Sequence, residues 1–229
     1  MYVYSFYKFI KLNDISILRS KIYKSLDKLN VKGTILISKE GINVNISQDK
    51  SLLDNALEKI STLIDVRDIF INKDVCNGIA FEKLKVKIKN EIIRFNSPFH
   101  NYSSSKLKRV DPSSWDKLLD EDIQLIDMRN DFEHSLGSFK DAINLKLTNF
   151  TDLKERDGDL KRLDKKKKTA IFCTGGIRCE KAGKYLNDIG FDKVYQLKGG
   201  IINYLANGNK KDKWSGNCFV FDDRIFLKN

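Results

Sequence analysis

The sequence predicts an α/β protein of two small domains, an α+β domain followed by an α/β domain with a central parallel sheet. Three observations carry this prediction. The first half reads strand–helix–strand–strand–helix–strand, the second half alternates short apolar strands with helices, and the stretch between them has little apolar periodicity. The expected organisation is a first domain over 1–95, a linker over 96–110 containing Pro98 and Ser103-Ser104-Ser105, a second domain over 111–210, and a tail over 211–229 packing on the domains.

In the first domain, Tyr2 to Phe9 alternates and is rich in aromatics, as a half-buried strand does. Asn13 or Asp14 can cap a helix reaching about Leu29, with Ile15, Leu18, Ile22, Leu26 and Leu29 as its core stripe. Val31 to Ser38 and Ile42 to Ile46 read as strands joined by a turn at Lys39-Glu40-Gly41. Glu40-Gly41-Ile42-Asn43 is either a loop that contacts a partner or a turn that needs glycine. Ser47 or Asp49 starts a second helix, and Val66 to Ile71 reads as the fourth strand. This order is that of a ferredoxin-like domain. Phe81 to Phe95 then alternates Lys83, Lys85, Lys87 and Lys89 with Leu84, Val86 and Ile88. A period of two puts the lysines on one face. They read either as the solvated guard of an edge strand or as a row of phosphate contacts.

In the second domain, Asp111 can cap a helix with Pro112 at its first position. Ile123 to Met128 reads as a buried strand ending at Asp127-Met128-Arg129, Ala142 to Leu145 as a further candidate, and Thr169 to Phe172 as the strand before a cysteine loop. A helix over Cys179 to Ile189, a strand over Val194 to Leu197 and a helix after Gly199-Gly200 complete the pattern. Strands alternating with helices argue for a parallel sheet covered on both faces.

Composition narrows the function classes. At roughly 150 residues per domain, 229 residues suffice for two small domains that bury a core without disulfides or metals. Lys+Arg is 42 against Asp+Glu 31, a net charge of +11 that suits an acidic partner. No apolar run approaches the ~18 residues of a membrane helix, and the N-terminus lacks a basic start and a small-residue cleavage site. The expected location is therefore cytoplasmic, with reduced thiols. The four cysteines form no CxxC, and there are two histidines, His100 and His134. No metal site and no organic cofactor motif are evident.

The chemistry concentrates in Cys173-Thr174-Gly175-Gly176-Ile177-Arg178, between a strand and a helix. Loop N–H groups there can converge into an anion-binding nest, and the helix N-terminus adds partial positive charge. Arg178 adds a full one. Together they favour thiolate and a reactive Cys173, and the same cradle would hold a persulfide or an oxyanion. Gly175 and Gly176 allow positive φ and close approach. The loop is shorter than the phosphate-sized loop of cysteine phosphatases, which favours sulfur chemistry. Cys179, directly after Arg178, either resolves a Cys173 sulfenate or persulfide or simply packs. Asp127 and Arg129 end a parallel strand, where α/β ligand sites form. They either orient Arg178 or contact substrate, or make a structural ion pair, with Glu133 or Arg178 as the partner. His134 reads as a surface residue, Cys218 as packing and Cys76 as incidental.

The loop resembles that of rhodanese domains. The string Cys173-Thr174-Gly175-Gly176-Ile177-Arg178-Cys179-Glu180-Lys181 resembles the form found in the rhodanese-domain, oxygen-dependent tRNA uridine hydroxylases. Further resemblance runs through Gly33-Thr34-Ile35-Leu36, Glu40-Gly41-Ile42-Asn43, Phe81 to Val86, Asp127 to Asn130, Gly137-Ser138-Phe139, Tyr195 to Ile201 and Cys218 to Asp222. It implies an N-terminal ferredoxin- or acylphosphatase-like domain followed by a rhodanese-like domain. It also implies hydroxylation at C5 of the wobble uridine, position 34, with O2 as co-substrate, Cys173 as the catalytic, persulfide-forming cysteine, and the tRNA anticodon loop as partner. Longer members carry a cysteine-containing extension beyond the point where this chain ends. Candidate RNA contacts are Lys83, Lys85, Lys87, Lys89, Lys108 and Arg109, with Lys106, Lys161-Arg162, Lys165 to Lys168 and Lys210-Lys211 as further basic runs. Two other readings stay open: a thiosulfate sulfurtransferase, and a non-catalytic module that binds tRNA or protein.

Overall fold

The computed structural model describes residues 1–97, 107–208 and 212–228. Pro98, His100, Ser103 to Ser105, Lys106 and Lys210-Lys211 lie outside the described residues. The chain forms two compact units, Met1–His100 with Phe221–Arg224, and Asn101–Val220 with Ile225–Asn229.

The first unit runs β1 (Tyr2–Phe9), α1 (Ile15–Asp27), β2 (Lys32–Ser38), β3 (Gly41–Gln48), α2 (Lys50–Ser61), β4 (Asn72–Val75) and β5 (Leu84–Ile88). Its sheet has the order β4-β1-β3-β2-β5. The first four strands pair antiparallel, and β5 adds parallel to β2 at the edge. Of the α1 stripe expected from the spacing, Leu18, Ile22 and Leu26 are buried and Ile15 and Leu29 partly so, the helix ending at Asp27 rather than near Leu29; α2 buries Leu53, Ala56 and Ile60. They meet Tyr4, Phe6, Ile35, Ile37, Ile42, Val44 and Ile46 in one core. Gly41 is required at the β2–β3 turn, because its φ is +147° and a Cβ there would collide with the Lys8 carbonyl. Glu40 beside it is buried and accepts the Ile92 N–H at 2.7 Å, so this turn has a structural reason for its residues.

Two details differ from expectation. The fourth strand is Asn72–Val75, not Val66 to Ile71. Val66, Ile69 and Ile71 do pack on the core, but Asp68 takes φ 60°, which breaks an extended run. The lysine strand is Leu84–Ile88, shorter than Phe81 to Phe95. Val86 faces inward while Lys83, Lys85, Lys87 and Lys89 are exposed.

The second unit contains β6 (Lys108–Val110), α3 (Pro112–Leu119), β7 (Gln124–Asp127), α4 (Asp131–Leu136), β8 (Gly137–Phe139), β9 (Ile143–Asn144), α5 (Asp157–Lys161), β10 (Thr169–Phe172), α6 (Ile177–Asp188), β11 (Val194–Leu197), α7 (Gly200–Asn207), β12 (Trp214–Gly216), β13 (Cys218–Phe219) and β14 (Phe226–Leu227). The sheet order is β6-β11-β10-β7-β9 with every pairing parallel. β6 lies inside the segment expected as linker: Lys108–Val110 is a strand of this sheet. Phe139 centres the core, with ring centroids at 4.8–6.1 Å from Tyr204, Phe172, Trp214 and Trp115. β12 pairs with β8, which brings Trp214 into that core. Among the described residues no helix is long and apolar enough to cross a membrane.

Candidate active site

β10 is buried along its whole length and delivers Cys173 to the C-terminal edge of the parallel sheet. Phe172 is in register with Asp127 of β7, so the cysteine loop and the Asp127 turn share one edge. Gly176 caps α6 with φ 96°, a left-handed turn that suits glycine. Gly175 is not among the glycines with positive φ, so the expectation of two such glycines holds for Gly176 alone. Ile177 and Arg178 form the first turn of α6 rather than the loop.

Cys173 is fully buried, and its Sγ accepts the Gly176 N–H at 3.2 Å. Burial alone would push the thiol up. The Cys179 thiol, the Arg178 charge and the backbone N–H groups of Cys179 and Arg178 outweigh it, lowering the thiol below the ordinary cysteine range to about 6. The Gly176 carbonyl accepts from Cys179 N at 3.1 Å and from Gln196 Nε2 at 3.0 Å, which pins the turn. α7 closes the other side: Ile201 and Ile202 N–H groups donate to the Cys173 and Thr174 carbonyls at 3.0 and 3.1 Å. Gly200 lies so close that a Cβ would collide with both carbonyls.

Arg178 does not stand free beside the sulfur. Its two terminal nitrogens donate to Glu133 Oε2 at 2.6 Å and Oε1 at 2.8 Å. Thr174 Oγ1 donates to Glu133 Oε1 at 3.2 Å and accepts from Arg178 Nη2 at 3.1 Å. Glu133 Oε2 also accepts the Asn130 N–H at 3.1 Å. A fully buried carboxylate is thus satisfied by four bonds and fastens α4 to the cysteine loop. Burial opposes the Arg178 charge, but Glu133 more than compensates and holds it protonated.

Asp127 and Arg129 pair with each other at 2.6 Å, both buried. The Arg129 guanidinium also donates to the Gly137 carbonyl at 2.6 Å and lies over the Trp214 and Phe172 rings at 5.3 and 5.7 Å. His134 is not a plain surface residue: its Nδ1 hydrogen-bonds Asp127 Oδ2 at 3.0 Å, and Ser138 Oγ donates to the same oxygen at 3.0 Å. Burial pushes Asp127 up, but His134 and Arg129 bring it below the usual carboxylate range. Cys218 is a core thiol, pushed up to about 12 by burial. Cys76 is buried in the first unit and donates to the Gly78 carbonyl at 3.1 Å.

Glu133, expected as an ion-pair partner of Asp127 or Arg129, pairs with Arg178 instead, and Gln196 and Gly200 had no expected role in the site. The Asn130-x-x-Glu133 spacing, a capping pattern, was the available signal for α4. Gln196 and Gly200 lie in the Tyr195 to Ile201 stretch that carries the resemblance, and the tertiary structure gives them their part in the site.

The basic runs divide into two groups. Arg109 is committed to Glu180 at 2.7 Å, and Lys108 lies over the Tyr195 ring at 5.8 Å. Lys161, Lys166, Lys167 and Lys168 pair with Asp157, Asp192, Asp122 and Glu121, and Lys165 donates to the Ile189 carbonyl. Lys83, Lys85, Lys87 and Lys89 form an exposed basic row with no ion pair among the described residues.

Comparison with known proteins fits this geometry. Residues 1–92 match the family described as UPF0176 acylphosphatase like domain, and residues 111–207 match the Rhodanese-like domain. The chain is 41% identical to the tRNA uridine(34) hydroxylase of Pelagibacter ubique, over 99% of this chain and 75% of that protein. It is 37% identical to the protein of the same name from Synechocystis sp., over 99% and 82%. Among solved structures it is similar to a rhodanese-related protein from Thermoplasma volcanium, with 25% identity, 44% of this chain and 93% of that one covered, and a TM-score of 0.38.

Proposed function

The chain belongs to the family of tRNA uridine(34) hydroxylases, and from that premise we propose that it hydroxylates C5 of uridine 34 in tRNA, with Cys173 as the reacting group and O2 as co-substrate. The observation that carries the role of Cys173 is its sulfur, held by the Gly176 N–H and enclosed by α7, in a setting that lowers its thiol to about 6. At neutral pH such a thiol is mostly thiolate, the nucleophilic form. The relatives' names supply uridine 34 as the target. An anticodon base is single-stranded and can be splayed into a protein site, so the anticodon loop is the natural substrate surface.

Each part of the site then has a task. Cys173 presents the thiolate at the sheet edge. Gly176, Arg178 and Cys179 N–H groups hold its charge, and Glu133 fixes Arg178 and Thr174 so that the loop keeps its shape. On the first unit, the exposed lysine row from Lys83 to Lys89 is a separate surface that supplies phosphate contacts, which give affinity without sequence information. The reaction takes place in the cytoplasm, where thiols stay reduced.

Mass spectrometry of tRNA nucleosides tests the activity. Expressing this chain in cells that lack the modification is expected to produce 5-hydroxyuridine, and tRNA without it overturns the reading. The enclosed thiolate also favours a second reading, thiosulfate sulfurtransfer. Substantial transfer of sulfur from thiosulfate to cyanide by the purified protein supports it, and a negligible rate rejects it.

A further inference from the structure

Two thiols meet at the cysteine loop. Cys179 is the third residue of α6. Its N–H donates to the carbonyl of Gly176, whose own N–H donates to Cys173 Sγ. One peptide turn therefore ties both cysteines, and Gln196 holds that turn from β11. The Cys179 thiol and N–H both act on the Cys173 sulfur and help to lower its pKa, and both residues are fully buried and unbridged. Cys218 hydrogen-bonds the carbonyl of Phe219, and Cys76 belongs to the other unit.

We propose that Cys179 is the resolving nucleophile of this site: once the Cys173 sulfur carries a leaving group, Cys179 attacks it and closes a reversible Cys173–Cys179 disulfide. The proposal rests on the reading of Cys173 as the reacting thiolate. The chemistry balances with a hydroperoxide as oxidant. The Cys173 thiolate forms an S–O bond as the O–O bond breaks, so sulfur loses two electrons and the peroxide gains them. Cys179 then forms the S–S bond, the S–O bond breaks, and the departing hydroxide takes the Cys179 proton to leave as water. A Cys173 persulfide is resolved in the same way, with hydrosulfide as the leaving group. An external dithiol restores both thiols.

The electrostatics give the step its timing. In the reduced site the negative charge rests on Cys173, whose thiol is lowered while that of Cys179 is raised. Burial, the hydrogen bond to Cys173 and the Cys173 charge all hold Cys179 protonated, while Arg178 pulls the other way. Oxidation of Cys173 removes its charge and leaves the pull of Arg178. Cys179 thus becomes the better nucleophile only after Cys173 has been modified. The consequence is protection, because the disulfide is reducible and the sulfinic and sulfonic acids that otherwise follow are not.

The test treats the reduced full-length protein with hydrogen peroxide, with and without dimedone, and digests it with trypsin without reduction. Cleavage after Arg178 separates the two cysteines, so the disulfide appears as a linked peptide pair that dithiothreitol dissolves. The wild-type protein is expected to give that pair and little dimedone adduct. Cys179→Ser and, as a second variant, Cys179→Ala are expected to lose the pair, accumulate the adduct on Cys173 and proceed to sulfinic acid. Wild-type protein that accumulates adduct to the same level as the variants, with no linked pair, overturns the proposal while leaving the Cys173 thiolate intact. Cys173 left unmodified in every protein overturns the thiolate reading and the proposal with it.

Discussion

Glu133 grips Arg178 with both carboxylate oxygens, at 2.6 and 2.8 Å, and the pair is buried at 0% and 7% side-chain exposure. Glu133 sits on α4 and Arg178 on α6, so one ion pair joins the two helices that flank the reactive loop. Removing the carboxylate leaves a buried guanidinium uncompensated, which typically costs about 3–5 kcal/mol. Glu133→Gln is therefore expected to lower the urea unfolding midpoint clearly. A midpoint within error of the wild type contradicts the role given to this pair.

The acidity of the Cys173 thiol follows from its surroundings. The groups around it lower the thiol to about 6, so thiolate prevails above pH 6 and the thiol form below it. The rate of alkylation by iodoacetamide should rise with pH and reach half its plateau near pH 6. Cys179→Ala removes a hydrogen-bond donor to the sulfur, so the profile should move upward, toward the free-cysteine value of about 8.5. A wild-type midpoint at or above about 8.5 rejects the activated thiolate.

Two glycines at the site respond in opposite ways. Gly200 has φ +68°, and a Cβ there would strike the Cys173 and Thr174 carbonyls. Gly200→Ala is expected to cost at least about 1–3 kcal/mol, from backbone strain and displaced carbonyls. Gly175 has no neighbour within 4 Å of a built Cβ, and Gly175→Ala should change stability by less than about 0.5 kcal/mol. Urea unfolding of the two variants checks both, and equal effects contradict the packing described.

Lys85 and Lys87 are exposed on the edge strand β5, whereas Lys167 and Lys168 are paired with Asp122 and Glu121. Lys85→Glu with Lys87→Glu should weaken tRNA binding. It should also flatten the salt dependence by about 0.7–0.9 in log–log slope for each phosphate no longer neutralised. Lys167→Ala with Lys168→Ala should do little. Filter binding across a salt series measures both. Unchanged affinity for the β5 variant makes the lysine row a solvated edge and nothing more.

Much of this was legible in the chain because it is written in local patterns. The helical stripes of α1 and α2, the glycine turn at Gly41 and the strand–cysteine–helix order around Cys173 each follow from spacing alone. What escaped depends on long-range neighbours. Val66 to Ile71 is apolar enough for a strand, but its residues serve the core without pairing, and the ladder falls on Asn72–Val75. Lysines 166–168 read as a basic patch until the fold brings up Asp192, Asp122 and Glu121 from distant segments. α4 has six residues, too few for a periodic stripe, yet it carries the Glu133 carboxylate. Gly200 is plain in the sequence, but its necessity comes from the Cys173 carbonyl against which it packs.

The central claim is that Cys173 performs the chemistry on tRNA. The most direct measurement is the 5-hydroxyuridine content of tRNA from cells whose only copy of this protein carries Cys173→Ser, beside cells carrying the wild type at equal abundance. The account predicts that the modification is present with the wild type and lost with Cys173→Ser. Equal 5-hydroxyuridine in the two would contradict it.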